Sequence, residues 1–275
     1  MITRRQLAKS AAAIATGGVA AGGLAANVSA QDTPNKRQTF VLVHGAWHGG
    51  WCWRDVRNHL QDQGHRVFTP TLTGHGERIH LRHPDVNLDT HVQDIINVIE
   101  WEELENVVLV GHSYAGVIIS GVCDAVKDRI AHAIYLDAGV PKDGDQVING
   151  RDMEDIKEIF GPLEDGYLAN APNTSFGVPD TMPEKLAWLR RRLTQQLTGT
   201  WLQKISLPNG GSDGLPRTFI FCNDRPQMTE QQTARLQGFK DDPTWDYMEL
   251  PCGHDSMVIL PVETAQMFEQ IASET

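Results

Sequence analysis

Positive charge and cysteine are both scarce in this sequence of 275 residues. Lys and Arg number 24 against 35 Asp and Glu, which gives a formal net charge of −11 at pH 7. Because nucleic acids and anionic membrane surfaces attract basic proteins, this deficit disfavours both as partners. The four cysteines, Cys52, Cys123, Cys222 and Cys252, do not have the spacing of a metal site, so we expect no bound metal.

The N-terminal apolar stretch lacks the density of a membrane span, because glycines interrupt it between residues 10 and 26. Arg4 and Arg5 precede this stretch, and Val28-Ser29-Ala30 follows it as a small-residue cleavage site. The order of residues 3–9 resembles the twin-arginine export signal, whose carriers cross the membrane already folded. We therefore expect residues 1–30 to be a signal peptide, with the mature protein periplasmic or secreted and without stable membrane insertion.

Cleavage after Ala30 would remove three positive charges and no negative ones, and the formal charge would go from −11 to −14.

A twin-arginine carrier folds in a reducing cytoplasm before export. We therefore expect Cys222 and Cys252, which end two predicted neighbouring strands, to remain free thiols.

From residue 39 onward, short apolar runs alternate with amphipathic helical stretches, which is typical of a parallel sheet with crossover helices. The runs are apolar throughout, as expected for strands covered on both faces. We predict an α/β fold with a mostly parallel six-stranded sheet flanked by helices. The predicted strands are 40–44, 66–72, 106–111, 131–137, 217–222 and 247–251.

The alternation is interrupted once, between about residues 141 and 215, by an interval too long for one strand-to-helix connection. Apolar residues within it recur at helical spacing, as at Met153, Ile156 and Phe160. We therefore predict a single domain over residues 31–275, with a helical cap inserted above the carboxyl ends of the strands.

Ser113 stands at the apex of a predicted strand, sharp turn and helix. The apolar run 107–110 leads directly into Gly111-His112-Ser113-Tyr114-Ala115-Gly116. A serine at such a turn projects out of the sheet, and the residues two positions on either side must be small. Gly111 and Ala115 meet that requirement, so the pattern predicts that Ser113 is a nucleophile.

A serine hydroxyl needs a base to take its proton, and with this type of turn the base follows the serine and an acid in chain order. His254 fits that order, because it lies in the loop between the last predicted strand and the last predicted helix. Negative charge on a tetrahedral intermediate needs fixed donors, which backbone N–H groups supply. We predict that the N–H groups of Tyr114 and Ala46 are these donors and form the oxyanion hole.

The segments 40–53 (FVLVHGAWHGGWCW), 111–116 and 253–254 resemble the plant methylesterase and hydroxynitrile lyase branch of the α/β-hydrolases, and its bacterial esterases most of all. The resemblance extends from about residue 39 to the C-terminus and is weak through the predicted cap. It implies the α/β-hydrolase fold and the hydrolysis of small carboxylic esters, often aromatic or methyl, through an acyl-enzyme and without a cofactor.

Two residues are candidates for the acid that orients His254. Asp224 follows the predicted strand 217–222, where most enzymes of this fold carry the acid, although the branch places it one residue further from the strand-end cysteine. The adjacent Arg225 is a possible ion-pair partner for Asp224. Asp137 ends the preceding strand, a position that some α/β-hydrolases use. We favour Asp224, because its loop is expected beside the loop that carries His254.

Other functions on the same fold remain as alternatives. A hydroxynitrile lyase of this branch carries a lysine after the catalytic histidine and a threonine in the first loop, where this sequence has Asp255 and Gly45. Dehalogenases and epoxide hydrolases need a carboxylate in place of Ser113. A non-catalytic small-molecule binding protein is the third alternative. No motif identifies the natural ester or the oligomeric state.

Overall fold

The computed structural model describes residues 37–148, 150–225 and 227–274. The predicted signal peptide, residues 1–30, lies outside the described residues. Eight strands are described: β1 (Thr39–Val43), β2 (Arg66–Phe68), β3 (Val107–His112), β4 (Ile130–Leu136), β5 (Leu168–Ala169), β6 (Gln196–Leu197), β7 (Arg217–Cys222) and β8 (Asp246–Leu250).

Six of these strands form one sheet in the order β2-β1-β3-β4-β7-β8. Every pairing in it is parallel. Because parallel neighbours end at the same edge, the loops that follow β1, β3, β4, β7 and β8 all leave the sheet on one side. The predicted α/β fold with a six-stranded sheet is confirmed.

Helices connect the strands and cover both faces of the sheet. They are α1 (Arg54–Asp62), α2 (Leu88–Trp101), α3 (Ala115–Ala125), α4 (Met153–Phe160), α5 (Pro183–Arg190), α6 (Gly199–Leu202), α7 (Glu230–Asp241), α8 (Ser256–Ile259) and α9 (Pro261–Ser273). Within the described part of the chain, no helix combines the length and the apolar character needed to cross a bilayer.

The core consists of two apolar layers, one on each side of the sheet. In β3, Val107 and Leu109 belong to the layer that contains α2 and α3, while Val108 and Val110 belong to the layer that contains α1 and α9. Successive side chains of a strand point to opposite faces, which produces this alternation. All four valine and leucine side chains are buried, so β3 holds the start of the turn at Ser113 rigidly.

Residues 141–215, called the cap segment below, lie between β4 and β7 and contain α4, α5, α6 and the small antiparallel pair β5-β6. The cap segment contacts the loop after β1 through its backbone. The N–H of Trp47 donates to Oε1 of Gln196 at 3.1 Å, and the N–H of Thr194 donates to the carbonyl of Trp47 at 2.8 Å. The cap segment is thus joined to the edge of the sheet where the strand-end loops gather.

Candidate active site

Ser113 occupies a strained turn between β3 and α3. Its φ is +56°, a conformation that a residue other than glycine rarely adopts. The turn is held by hydrogen bonds: the Ser113 N–H donates to the carbonyl of Leu136 at 3.1 Å, and its own carbonyl accepts from Gly116 and Gly139. A Cβ atom on Gly111 would lie 2.7 Å from the Ala115 carbonyl oxygen, which explains the glycine two positions before the serine.

His254 lies in the loop between β8 and α8 and binds a carboxylate. Its Nδ1 is 2.5 Å from Oδ2 of Asp137. Burial lowers the pKa of His254, and Arg225 lowers it further although Asp255 raises it. The ring is therefore neutral at pH 7, with Nδ1–H donating to Asp137. That tautomer leaves Nε2 as a proton acceptor, which a general base requires.

Asp137 directly follows β4 and is held in place by several groups. Its φ is +47°, and its N–H donates to the carbonyl of Ile220 at 2.7 Å. The side chain is 5% exposed. The guanidinium of Arg225 contacts the same Oδ2 atom, and Nε of Arg225 donates to the carbonyl of Cys222 at 3.0 Å. Both β7 and the loop of His254 therefore fix this carboxylate.

The expected contact between Asp224 and His254 is wrong, because Asp137 is the carboxylate bound to the ring. The N–H groups of Asn223 and Asp224 donate to the carbonyls of Leu250 and Cys252 at 3.0 Å each, which continues the pairing of β7 with β8. This pairing leaves Asp224 exposed. The suggested ion pair of Asp224 with Arg225 is also wrong, since Arg225 binds Asp137.

The loop after β1 approaches Ser113 closely. A Cβ atom on Gly45 would lie 3.1 Å from Cβ of Ser113 and 2.9 Å from Nδ1 of His112. Among the described residues, no acceptor is bonded to the backbone N–H of Ala46 or of Tyr114, whereas the N–H of Trp47 is bound by Gln196. These two N–H groups are available to a negatively charged oxygen, as the oxyanion-hole prediction requires.

His112, directly before the predicted nucleophile Ser113, links the serine turn to the loop of His254. Its Nε2 is 3.0 Å from the carbonyl oxygen of His254, and the two ring centroids are 4.5 Å apart. Because His112 precedes Ser113 directly, this bond ties the loop of His254 to the serine turn. Sequence reasoning missed it, although the residue lies within the recognised motif.

Two further groups missed from the sequence are His48 and Asp255, both fully enclosed. His48 Nδ1 is 2.7 Å from the carbonyl of Ala46, and its Nε2 is 3.0 Å from Oδ2 of Asp255. The signals were present, since His48 belongs to the motif after β1 and Asp255 follows His254 directly.

Three of these groups also bring potential metal-ligand atoms close together. Of the described residues, His112, His254 and Asp255 place potential ligand atoms within 4.8 Å of one another. His112 already bonds the carbonyl of His254, and Asp255 already bonds His48, so we interpret these groups as a hydrogen-bond network. A surface cavity of about 1030 Å³ is not lined by Ser113, His254 or Asp137. We therefore locate the candidate site from the contacts of these side chains and not from the volume of a cavity.

The α/β-hydrolase class is defined by a parallel sheet and a sharp serine turn after one of its strands. It also has a His-Asp pair on later strand-end loops and two backbone N–H groups available to an oxyanion. The structure has each of these features. The sequence matches the model of the Alpha/beta hydrolase family over residues 40–268. The chain belongs to this family.

Relatives agree with the assignment. A carbendazim hydrolyzing esterase from Nocardioides sp. (strain SG-4G) is 40% identical over 235 residues, covering 82% of this chain and 96% of that protein. Methylesterase 1 from Arabidopsis thaliana is 32% identical over 267 residues, covering 87% and 97%. The predicted resemblance to the methylesterase branch is confirmed, and so is the prediction of an ester-hydrolysing enzyme.

Solved structures agree in fold. An extracellular alpha/beta-hydrolase from a Paenibacillus species has a TM-score of 0.69 to this chain at 22% identity, covering 85% of this chain and 98% of that one. At this identity the likeness shows the fold alone.

Proposed function

We propose that this protein is a serine carboxylic-ester hydrolase that works through an acyl-enzyme, with Ser113 as nucleophile, His254 as general base and Asp137 as the orienting acid. The observation that carries the proposal is the 2.5 Å contact between His254 and Asp137, in a loop whose His254 carbonyl bonds His112, the residue directly before Ser113. The neutral ring accepts the Ser113 proton while the hydroxyl oxygen attacks the ester carbonyl. Asp137 then stabilises the imidazolium that forms.

The negative oxygen of the tetrahedral intermediate would accept from the N–H groups of Ala46 and Tyr114. Such donors each contribute about 10²- to 10³-fold in rate. Collapse of the intermediate expels the alcohol, which takes the proton from His254, and leaves Ser113 acylated. Water, activated by the same ring, then hydrolyses the acyl-enzyme to the carboxylic acid.

The substrate we propose is a small ester with an apolar part, methyl esters among them. Four rings form an aromatic cluster beside Ala46: Trp47 lies 5.6 Å from Phe160, 5.9 Å from Phe176 and 5.4 Å from Trp201, centroid to centroid. Rings from the cap segment thus meet the loop that supplies an oxyanion donor, and we assign them to the wall of the substrate pocket. The esterase and methylesterase names of the relatives support this class.

We also propose that the protein is exported by the twin-arginine route and acts in the periplasm or outside the cell. The support is the sequence of residues 3–30.

No observation favours a lyase over an esterase. The carboxylate of Asp255, at the position where lyases of this branch carry lysine, is fully buried and bound to His48.

The acyl-enzyme is tested by pre-steady-state kinetics with an activated aryl ester. We expect a burst of one equivalent of phenol per enzyme, with the acyl mass found on the peptide containing Ser113. Ser113→Ala should fold normally, show no burst and lose several orders of magnitude in kcat. Ser273→Ala, at an exposed position near the end of α9, is the control and should retain the burst. An unchanged burst in Ser113→Ala would overturn the proposal.

A further inference from the structure

A buried hydrogen bond connects the two loops that carry the catalytic groups. His48 and Asp255 are 1% and 0% exposed, and they are 207 residues apart in the chain. His48 also binds the carbonyl of Ala46, whose N–H is the predicted oxyanion donor. Asp255 follows His254 directly and is held by its own N–H, which donates to the carbonyl of Phe176 at 2.9 Å.

The partners fix how protons are placed in this pair. The carbonyl of Ala46 can only accept, so Nδ1 of His48 carries a proton. At Nε2, either an imidazolium donates to a carboxylate or a neutral ring accepts from a carboxylic acid. In both forms the pair is neutral overall and holds one shared proton. Burial alone would lower the pKa of His48, but the attraction of Asp255 outweighs it and raises that pKa.

The pair also faces the serine turn. Oδ1 of Asp255 lies 3.8 Å from Nε2 of His112 and has no hydrogen-bond partner among the described residues. His112 in turn bonds the carbonyl of His254. The loop after β1, the serine turn and the loop of His254 thus meet at one buried point beneath the proposed reacting atoms.

We propose that His48 and Asp255 are a positioning pair that fixes the oxyanion donor of Ala46 at the correct distance from Ser113 and His254. The inference rests on the proposed function above. Neither side chain touches the substrate, because both are enclosed by the loops that they join. Since a displacement of about 1 Å is enough to cost roughly 10²-fold in rate, a loosened pair lowers turnover rather than substrate binding.

Variants at His48 separate the two bonds. In His48→Asn the amide nitrogen takes the place of Nδ1, so the hydrogen bond to the Ala46 carbonyl is kept and the bond to Asp255 is lost. In His48→Gln the amide nitrogen takes the place of Nε2, so the bond to Asp255 is kept and the bond to the Ala46 carbonyl is lost. We expect both to lower kcat about 10- to 100-fold with KM changed less than about threefold. Affinity for a boronic acid that mimics the tetrahedral intermediate should fall in proportion to kcat.

Variants at Asp255 test whether a side chain that keeps the hydrogen bond to His48 also keeps the parental kcat. Asp255→Asn can donate to Nε2 of a neutral His48 and so retains both bonds, and we expect its kcat within about threefold of the parent. Asp255→Ala leaves Nε2 without a partner and should lose about 100-fold in kcat, measured below its unfolding temperature. If Asp255→Ala does not fold, the comparison of His48→Asn with Asp255→Asn decides the question.

His65 supplies the matched control. It is also buried and binds a carboxylate, Glu269, at 3.1 Å. It precedes β2, however, and so lies at the amino ends of the strands, away from the proposed site. His65→Asn should lower the unfolding temperature and leave kcat unchanged. Folded His48 variants with parental kcat, or with lower kcat and unchanged boronic-acid affinity, would overturn the positioning role.

Covalent labelling distinguishes failure of this inference from failure of the proposed function. An organophosphonate should label Ser113 to one equivalent in the parent and in every folded His48 or Asp255 variant. Absence of labelling in the parent would overturn the proposed nucleophile, whereas labelled variants with parental turnover would overturn only the positioning pair.

Discussion

Asp137 and His254 are 117 residues apart in the chain, yet the Asp137 carboxylate lies 2.5 Å from Nδ1 of His254. Asp137 directly follows β4, which lies between β3, the strand before Ser113, and β7. The proposed acid and the proposed nucleophile therefore follow neighbouring strands, and His254 lies in the loop after the edge strand β8.

This relationship predicts opposite results for two isosteric changes. Asp137→Asn should lower kcat by about 10⁴-fold at neutral pH, because the amide stabilises neither the correct tautomer nor the imidazolium. Asp224→Asn should change kcat less than about threefold, since Asp224 is exposed. Both are measured by steady-state kinetics on protein shown by circular dichroism to be folded. A loss confined to Asp224→Asn would assign the acid to Asp224 instead.

Gly253, directly before His254, lies in close contact with Gly177. A Cβ atom on Gly253 would collide with the backbone of Gly177 in the cap segment. We expect Gly253→Ala to displace the following histidine and lower kcat at least about 10-fold, together with the unfolding temperature.

Gly238 in α7 is the control for this change, because no atom lies within 4 Å of a Cβ atom placed there. Gly238→Ala should leave kcat unchanged and stabilise the fold by up to about 1 kcal/mol. Unchanged kcat in a folded Gly253→Ala would show that His254 does not depend on this contact.

Buried histidines make the fold sensitive to acid. Burial lowers the pKa of His44 to about 3 and of His91 and His132 to about 4, from 6.5. Below pH 6.5 the unfolded chain therefore binds protons that the folded chain does not, and stability falls as pH falls. Each group lowers the free energy of unfolding as pH falls from 6.5 towards its own pKa, and His48, with its raised pKa, acts in the opposite direction.

Urea unfolding at pH 7, 6 and 5 measures this effect. We expect the free energy of unfolding to decrease at each step, and the decrease to be smaller in His132→Gln. A free energy that stays constant from pH 7 to pH 5 would contradict the burial of these neutral rings.

Export is tested by replacing Arg4 and Arg5 with lysine. Because the twin-arginine route requires both arginines, the unprocessed precursor should stay in the cytoplasm, while the parent chain appears outside it without residues 1–30. Cell fractionation and N-terminal sequencing give the result. Normal processing of the double variant would show that another route is used.

The sheet was predictable because each strand is an apolar run bounded by turn residues, and the six predicted strands overlap the six observed. The Ser113 turn was predictable because its steric requirements appear locally, in Gly111 and Ala115. The choice between Asp137 and Asp224 was not, since both follow strands and both precede His254. The tertiary structure separates them, because Asp137 contacts Nδ1 of His254 while the continued pairing of β7 with β8 leaves Asp224 exposed. His48 and Asp255 likewise meet only through tertiary structure.

Gln196 and Thr194 of the cap segment bind the backbone of Trp47, the residue after the proposed oxyanion donor Ala46. On the proposed function, these bonds join the wall of the substrate pocket to the oxyanion hole, and we expect substrate choice and reaction rate to change together. A cap transplanted from a relative to broaden the range of esters would slow the chemistry unless it also brought a side-chain acceptor for Trp47, so engineering of this scaffold should treat the inserted helices and the first loop as one exchangeable unit.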